Sequence, residues 1–350
     1  MNQEELRAQI EQGEIIAKLD LTGADLAGAD LSGGIFEEVC FRGADLAGAT
    51  LKESLFLRCN FDGTNLRGAN LHQTVFEKAV LTDALLANAY MAATKLVDAN
   101  LSFANLDGAN LVIASLIHPV LTGTKLTGAN LDRTTFIEAR TPTGLDLSNS
   151  YLRQTTFYKA DLTEASFSGA TLEAAILHEC SLRGKDLRGL DLTLTQLMSA
   201  DLSGCDLTGA TLTKCNFKDA DLRGAKLDDA TIANGLFIKA KLGKASLRKA
   251  HLPQSLFTDA DLGAADFSEA NMQQCILTRA ACVGTRFPAA DLTYADFSHA
   301  NVSGANFTGA TLFRTRFHQT LDKGAVFTDR SAALGDDQDL LEAERWQPTH

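Results

Sequence analysis

Cysteine, histidine and aspartate, the residue types that carry most metal and acid–base chemistry, are all present in this 350-residue chain, and their spacing decides what they can do. Seven cysteines stand at 40, 59, 180, 205, 215, 275 and 282, with no Cys-x-x-Cys pair to mark a zinc or dithiol site. Seven histidines lie scattered at 72, 118, 178, 251, 299, 318 and 350. Gly243-Lys244 runs into Ala245 and lacks the upstream glycine that a phosphate loop needs. Aspartates abound, but acid–base work by paired carboxylates requires a cleft to hold a substrate. The reading is no catalytic residue, no cofactor and no metal site.

The elements that position these residues follow a period of five. From Leu21 to Phe136, every fifth residue is apolar, which makes 24 positions, and a second series from Leu147 to Phe317 adds 35 more. At 45% hydrophobic composition such a run is not chance. The residue two before each centre is usually small, as at Ala24, Ala29, Ala44, Ala160, Ala200 and Ala260, and the residue directly before it is commonly Asp, Asn or Thr. Five fits neither the 3.6 of a helix nor the 2 of an isolated strand, so each quintet must turn the chain by a fixed amount. Cys59, Cys180, Cys205, Cys215 and Cys275 fall on the small inward position and Cys282 on a centre, so they fill the core, and only Cys40 faces out. His178 points out where Cys180 points in, which rules against a shared metal. Lys185 occupies an inward small-residue position, and the RGKDLRGLDL segment is expected to flare there and let its ammonium reach water.

The stretches GADLAGADLSG, RGANLHQ and SGANFTGATL resemble the A(D/N)LXX units of the pentapeptide-repeat family, and the resemblance runs from residue 19 to about 327. It implies an all-β fold, a right-handed quadrilateral parallel β-helix with four quintets per coil and the centres pointing inward. At four quintets per coil the chain would make about 15 coils, on the order of 70 Å long at a strand spacing of ~4.8 Å. A stack of this kind needs its ends covered. Residues 1–18 are therefore expected to form an N-terminal helical cap, 19–327 the solenoid, and 328–350 an acidic tail with a helix in which Leu340, Leu341 and Trp346 either cap the stack or pair with a second copy. Phe136 and Leu147 are eleven apart, so one extra residue must lodge near 141–144, where Pro142 and Gly144 suit a bulge. The period-twenty phenylalanines Phe36, Phe56, Phe76 and Phe136 resume one residue late at Phe157, Phe217 and Phe237, which makes the slip local.

That phenylalanine column marks the most informative surface. Directly before its centres stand Ile35, Leu55, Val75, Ile176, Leu236, Leu256 and Ile276; directly after them stand Leu57, Val97, Ile117, Ile137, Tyr158, Met198 and Ile238. Flanking residues point outward, so these predict an apolar stripe, the usual mark of a protein-binding or oligomer surface, unless they only pack on neighbouring coils. The rival reading comes from the resemblance: some members of that family mimic duplex DNA and bind DNA gyrase, shielding it from toxins or drugs. The net charge of −12 favours it, but the two ends carry −3 and −4, which leaves the repeats about −5. Asp161, Asp201, Asp221 and Asp261 share a face that Ser181 and Lys241 interrupt. The basic group Lys239, Lys241, Lys244, Arg248, Lys249 and His251 spreads around the perimeter without aromatic platforms, against direct nucleic-acid binding. No apolar run reaches the roughly 20 residues of a membrane span, and the acidic start MNQEELRAQIEQGE is unlike a signal peptide, so a cytoplasmic protein is expected. The sequence reading is thus a non-catalytic scaffold that presents its apolar stripe to another protein, with a homodimer through that stripe or the C-terminal helix as a further expectation.

Overall fold

A quintet without proline has five backbone N–H groups to satisfy, and the way it does so generates the coil. In the computed structural model, which describes residues 3–141 and 143–346, the quintet centred on Leu46 shows the scheme. The Ala44 N–H donates back to the Phe41 carbonyl at 2.9 Å and closes a corner; the Asp45 N–H reaches the Ala24 carbonyl one coil earlier, also at 2.9 Å. Leu46 and Gly48 donate one coil onward, to the carbonyls of Asn65 at 2.7 Å and Arg67 at 2.9 Å. The Ala47 amide remains, and it donates to the Asp45 side-chain Oδ1 at 2.9 Å. The recurring Asp or Asn before each centre is therefore a hydrogen-bond acceptor for a backbone donor that turns away from the ladder. Gly48 has φ +64°, which explains the frequent glycine two residues after a centre.

Repeating this scheme produces a parallel β-solenoid of about 16 turns with two short helices. It divides into two compact units, Met1–Ser181 and Leu182–His350. In the first, helix α1 (Gln3–Glu11) precedes nine three-residue strands: β1 (Ile15–Ala17), β2 (Ile35–Glu37), β3 (Leu55–Leu57), β4 (Val75–Glu77), β5 (Lys95–Val97), β6 (Ser115–Ile117), β7 (Thr135–Ile137), β8 (Thr156–Tyr158) and β9 (Ile176–His178). They form one parallel sheet in sequence order. The other three faces of each coil join through single parallel bridges, such as Asp25↔Asp45 and Asp30↔Thr50. The second unit is built almost wholly of such bridges, with one strand pair, β10 (Asn306–Phe307) and β11 (Val326–Phe327), before helix α2 (Gln338–Arg345).

Leu and Phe centres make the core. Phe36, Phe56 and Phe76 are wholly buried and stack at 4.8 and 5.2 Å; in the second unit Phe217, Phe237 and Phe257 stack at 4.7 and 4.6 Å. Each such side chain contributes roughly 1.5–3 kcal/mol by leaving water. The small inward position also admits threonine, because its hydroxyl donates across to the coil before: Thr64 to the Phe41 carbonyl at 2.6 Å, Thr94 to Leu71 at 2.7 Å, Thr285 to Leu262 at 2.8 Å.

The extra residue shows as a change of register within the first unit. Val120 pairs with Arg140, a step of twenty; Lys125 then pairs with Asp146, a step of twenty-one, and Asp146 pairs with Ser166, twenty again. Thr141 takes the place of a centre and is buried, with its hydroxyl donating to the Asp161 carbonyl. Gly144 turns with φ +70°, and Leu145 is buried in the small-residue position. Pro142 lies outside the described residues. Lys185, in the second unit, is half-buried.

The two units end differently. In the first, α1 buries Leu6 and Ile10 over the opening coil, and the Arg7 guanidinium reaches Asp30 at 3.3 Å. In the second, α2 buries none of its residues, and Arg330 lies over the last aromatic rings, its guanidinium 4.6 Å from the Phe317 centroid and 4.9 Å from that of Phe327.

Candidate interaction surface

Strand formation decides where apolar flanks are allowed. On the bridge-only faces the residue before a centre is often Asp or Asn, whose side chain accepts from an amide, although Val80, Leu85, Tyr90 and Val120 also stand there; in β1–β9 the parallel ladder supplies that acceptor. The position is then free to be apolar, and the register Ile35↔Leu55↔Val75 places three such side chains in one file on the outer face of the sheet. Farther along, the apolar character passes to the residues after the centres: Val97, Ile117, Ile137 and Tyr158 pair in succession. Leu57 lies in that trailing file between Glu37 and Glu77. Ile176 stands in the leading file next to Thr156.

In the second unit Leu236, Leu256 and Ile276 form consecutive bridges, with Met198 and Ile238 on the trailing side of their own centres. Of the fourteen stripe residues, Ile35, Ile176 and Ile276 are exposed and the other eleven are half-buried against their vertical neighbours. Ile276 lines a cleft of about 470 Å³ together with Tyr294, Arg314, Arg316 and Leu334, a concavity that the repeat alone does not predict.

The trailing edge of the first sheet is charged. Arg58 bridges Glu37 and Glu38, His118 sits between Asp98 at 3.3 Å and Glu138 at 3.7 Å, and the Lys159 ammonium lies 5.0 Å above the Tyr158 ring. Tyr158 in turn stacks on His178 at 5.7 Å. The apolar files are thus bordered by a ladder of mixed sign, the composition of an interface rim.

Bulky residues also stand where the turn favours glycine, and the period did not single them out. Phe103 and Ile113 adopt φ of +60° and +55° with 58% and 52% of their surface exposed; Leu194 and Tyr294 do the same in the second unit. The Phe103 ring lies against Gly123, where a Cβ would come within 2.5 Å of it. A large apolar residue two after a centre is the sequence signal for such a site. In α2 Leu340 is exposed and Leu341 half-buried, and Trp346, directly after the helix, is exposed over 73% of its surface.

The acidic columns are paired in part. Asp201, Asp221, Lys241 and Asp261 follow one another by bridges, and Arg223 holds the Asp221 carboxylate at 2.9 Å. Arg279 pairs with Asp259 and Lys226 with Asp206. Asp161 lies in the first unit, beside Ser181. The Arg188 side chain, followed by its backbone amide, draws the Asp186 carboxyl down to about 2. The basic side chains of Lys239, Lys241, Lys244, Lys249 and His251 are exposed, and Lys249 lies 4.0 Å from Glu269. Six of the seven cysteines are buried and Cys40 half-buried; burial pushes the Cys59 and Cys205 thiols up to about 11, and those of Cys180, Cys215 and Cys275 to about 12. Such thiols are poor nucleophiles and poor metal ligands. No helix among the described residues is long and apolar enough to cross a membrane.

A family profile described as pentapeptide repeats matches residues 17–112 and 143–321 in overlapping segments. No curated protein matches the chain. Among solved structures it is similar to QnrB1, a plasmid-mediated fluoroquinolone resistance protein, at 19% identity over 62% of this chain and 91% of that one, with a TM-score of 0.28. It is similar to HetL, a pentapeptide repeat protein involved in heterocyst differentiation regulation in the cyanobacterium Nostoc sp. strain PCC 7120, at 22% identity over 90% of this chain and 96% of that one, with a TM-score of 0.17. A pentapeptide repeat protein of the Arabidopsis thaliana thylakoid lumen shares 24% identity over 38% of this chain and 72% of its own, with a TM-score of 0.22. At these identities and scores, what those proteins do says nothing of what this chain binds.

Proposed function

The chain belongs to the pentapeptide-repeat family, and from that premise we propose that it is a non-catalytic, cytoplasmic scaffold that binds another protein through the apolar outer face of its first unit. Proteins of this family are in general structural or binding proteins rather than enzymes. The observation that carries the reading is the unbroken trailing file Val97, Ile117, Ile137 and Tyr158, bordered by Asp98, His118, Glu138 and Lys159. Half-buried side chains fixed in register offer a preformed apolar surface that loses little conformational entropy on binding, which favours affinity. A second copy of the chain is one candidate partner, through the same file or through the exposed Leu340 of α2 and Trp346 directly after it.

The test is the triple substitution Ile117→Ser, Ile137→Ser, Tyr158→Ser. Proteins that co-purify with the native chain, or self-association seen by light scattering, should be lost, while the far-UV spectrum and the cooperative melt persist. Loss of the fold in the triple variant would make those residues structural and end the reading. The alternative, a DNA mimic that binds gyrase and inhibits or protects it, draws on Asp161, Asp201, Asp221 and Asp261. It is weakened by Lys241 in their midst and by the Arg223–Asp221 pair. Gyrase supercoiling left unchanged at micromolar protein removes it.

A further inference from the structure

Two histidines and a glutamate from three separate segments converge in the second unit. His299 and His318 are nineteen residues apart, one short of a coil, so the repeat sets them on successive coils, with ring centroids 5.4 Å apart and planes perpendicular. Glu344, in the last turn of α2, lies between them. Its Oε1 is 3.0 Å from the His299 Nε2, and its Oε2 is 3.3 Å from the His318 Nε2. One donor atom from each of the three lies within 4.8 Å of the other two. His318 is wholly buried, whereas His299 and Glu344 are exposed, so the cluster has a fixed floor and an open side.

We propose that this trio is a binding site for a divalent transition-metal ion of the zinc class, held by His299 Nε2, His318 Nε2 and a Glu344 oxygen, and that the ion fastens α2 to the coils. Bonds of about 2.0–2.2 Å in tetrahedral array set neighbouring donors roughly 3.3–3.5 Å apart. The 3.0 and 3.3 Å His–Glu separations are to different oxygens of the carboxylate, and one donor atom from each residue already lies within 4.8 Å of the other two, so a turn of the exposed Glu344 carboxylate and a small inward shift of the rings complete the site. Two imidazoles with one carboxylate suit zinc and its neighbours, not calcium or magnesium, which take oxygen cages. The open side leaves a fourth position for water.

The surroundings define what binding must change. The Asp337 N–H donates to the His318 Nδ1 at 3.1 Å, so in the neutral ring the proton sits on Nε2 and points at Glu344. An ion at Nε2 displaces that proton to Nδ1. The Asp337 amide must then turn away, and the Asp336 carboxylate, 3.7 Å from Nδ1, takes the new N–H. Likewise the His299 proton moves to its Nδ1. From neutral rings, the protons only move between ring nitrogens, so the exchange balances without a proton leaving. Asp337 is the N-cap of α2, its side chain accepting from the Leu340 amide, so the helix start registers the arrival of the ion. This site is independent of the apolar face of the first unit.

Calorimetric titration of zinc chloride into the EDTA-treated full chain, near neutral pH, should show one saturable site per chain. His299→Ala and Glu344→Gln, both at exposed positions, should each weaken it by at least about tenfold, a loss that removal of a mere supporting partner can already cause. Zinc should raise the melting temperature of the native chain and leave that of the two variants in place. In amide NMR spectra Asp337 should shift on binding. Absence of one-to-one binding, or equal binding by both variants, overturns the assignment.

Discussion

Phe56→Ala should lower the unfolding free energy of the first unit by about 3–5 kcal/mol, the range for removing a buried aromatic ring that its surroundings cannot replace. Phe56 is wholly buried, stacked between Phe36 and Phe76 and edge-on to Phe41 at 5.9 Å and Phe61 at 5.0 Å. Close-packed rings above, below and beside it leave little room for collapse, so the cavity persists. Leu57→Ala, at the next residue but on the outer face and half-buried, should cost only about 1 kcal/mol. Urea denaturation of the three proteins gives the comparison. Equal losses would mean that the ring ladder is not the core.

Leu6→Asp should be as damaging at the start of the chain. Leu6, on the inner face of α1, is wholly buried, and a carboxylate there loses the leucine contacts and incurs the desolvation of a charge, together at least about 3 kcal/mol. With α1 detached, the free edge of β1 is open to pairing with another chain. The expected result is a lower melting temperature and light scattering that grows with concentration. Trp346→Ala, in a largely exposed side chain at the opposite end of the sequence, should change neither. If Leu6→Asp melts like the native protein and stays monodisperse, α1 is not a cap.

How far the sequence could be read depends on what the period encodes. Inward and outward follow from it directly: a centre every five residues, and Ala, Thr or Cys two before, can be assigned without coordinates because each residue type matches one environment. The outer files follow as well, since Ile35, Leu55 and Val75 are twenty apart. Depth does not, because how far Ile117 or Ile137 sinks against its neighbours depends on side chains in adjacent coils. The role of the Asp before each centre was hidden for a similar reason, as it answers an unpaired amide visible only once the ladder is drawn. At the slip, composition points to Pro142 and Gly144, yet the residue that fills the core is Thr141, a polar side chain whose burial rests on a carbonyl one coil away. His299 and His318 are nearly one coil apart, which the period could have exposed; Glu344 comes from a helix outside the repeat, and no periodic rule places it.

The proposition beneath all of this is that residues one coil apart stack in straight files within the first unit. Paired nitroxide labels, one at Ile35 and the other at Lys95, Thr135 or Thr156, measure it by electron–electron dipolar spectroscopy. Those positions are linked in unbroken register through β2 to β8, so the label separations should rise by ~4.8 Å per coil, near ~14, ~24 and ~29 Å, with Thr156 on the line despite the extra residue before it. Distances that fail to grow in that proportion, or a Thr156 pair that falls off the line, would contradict the coil, the place of the inserted residue and the surface built on them.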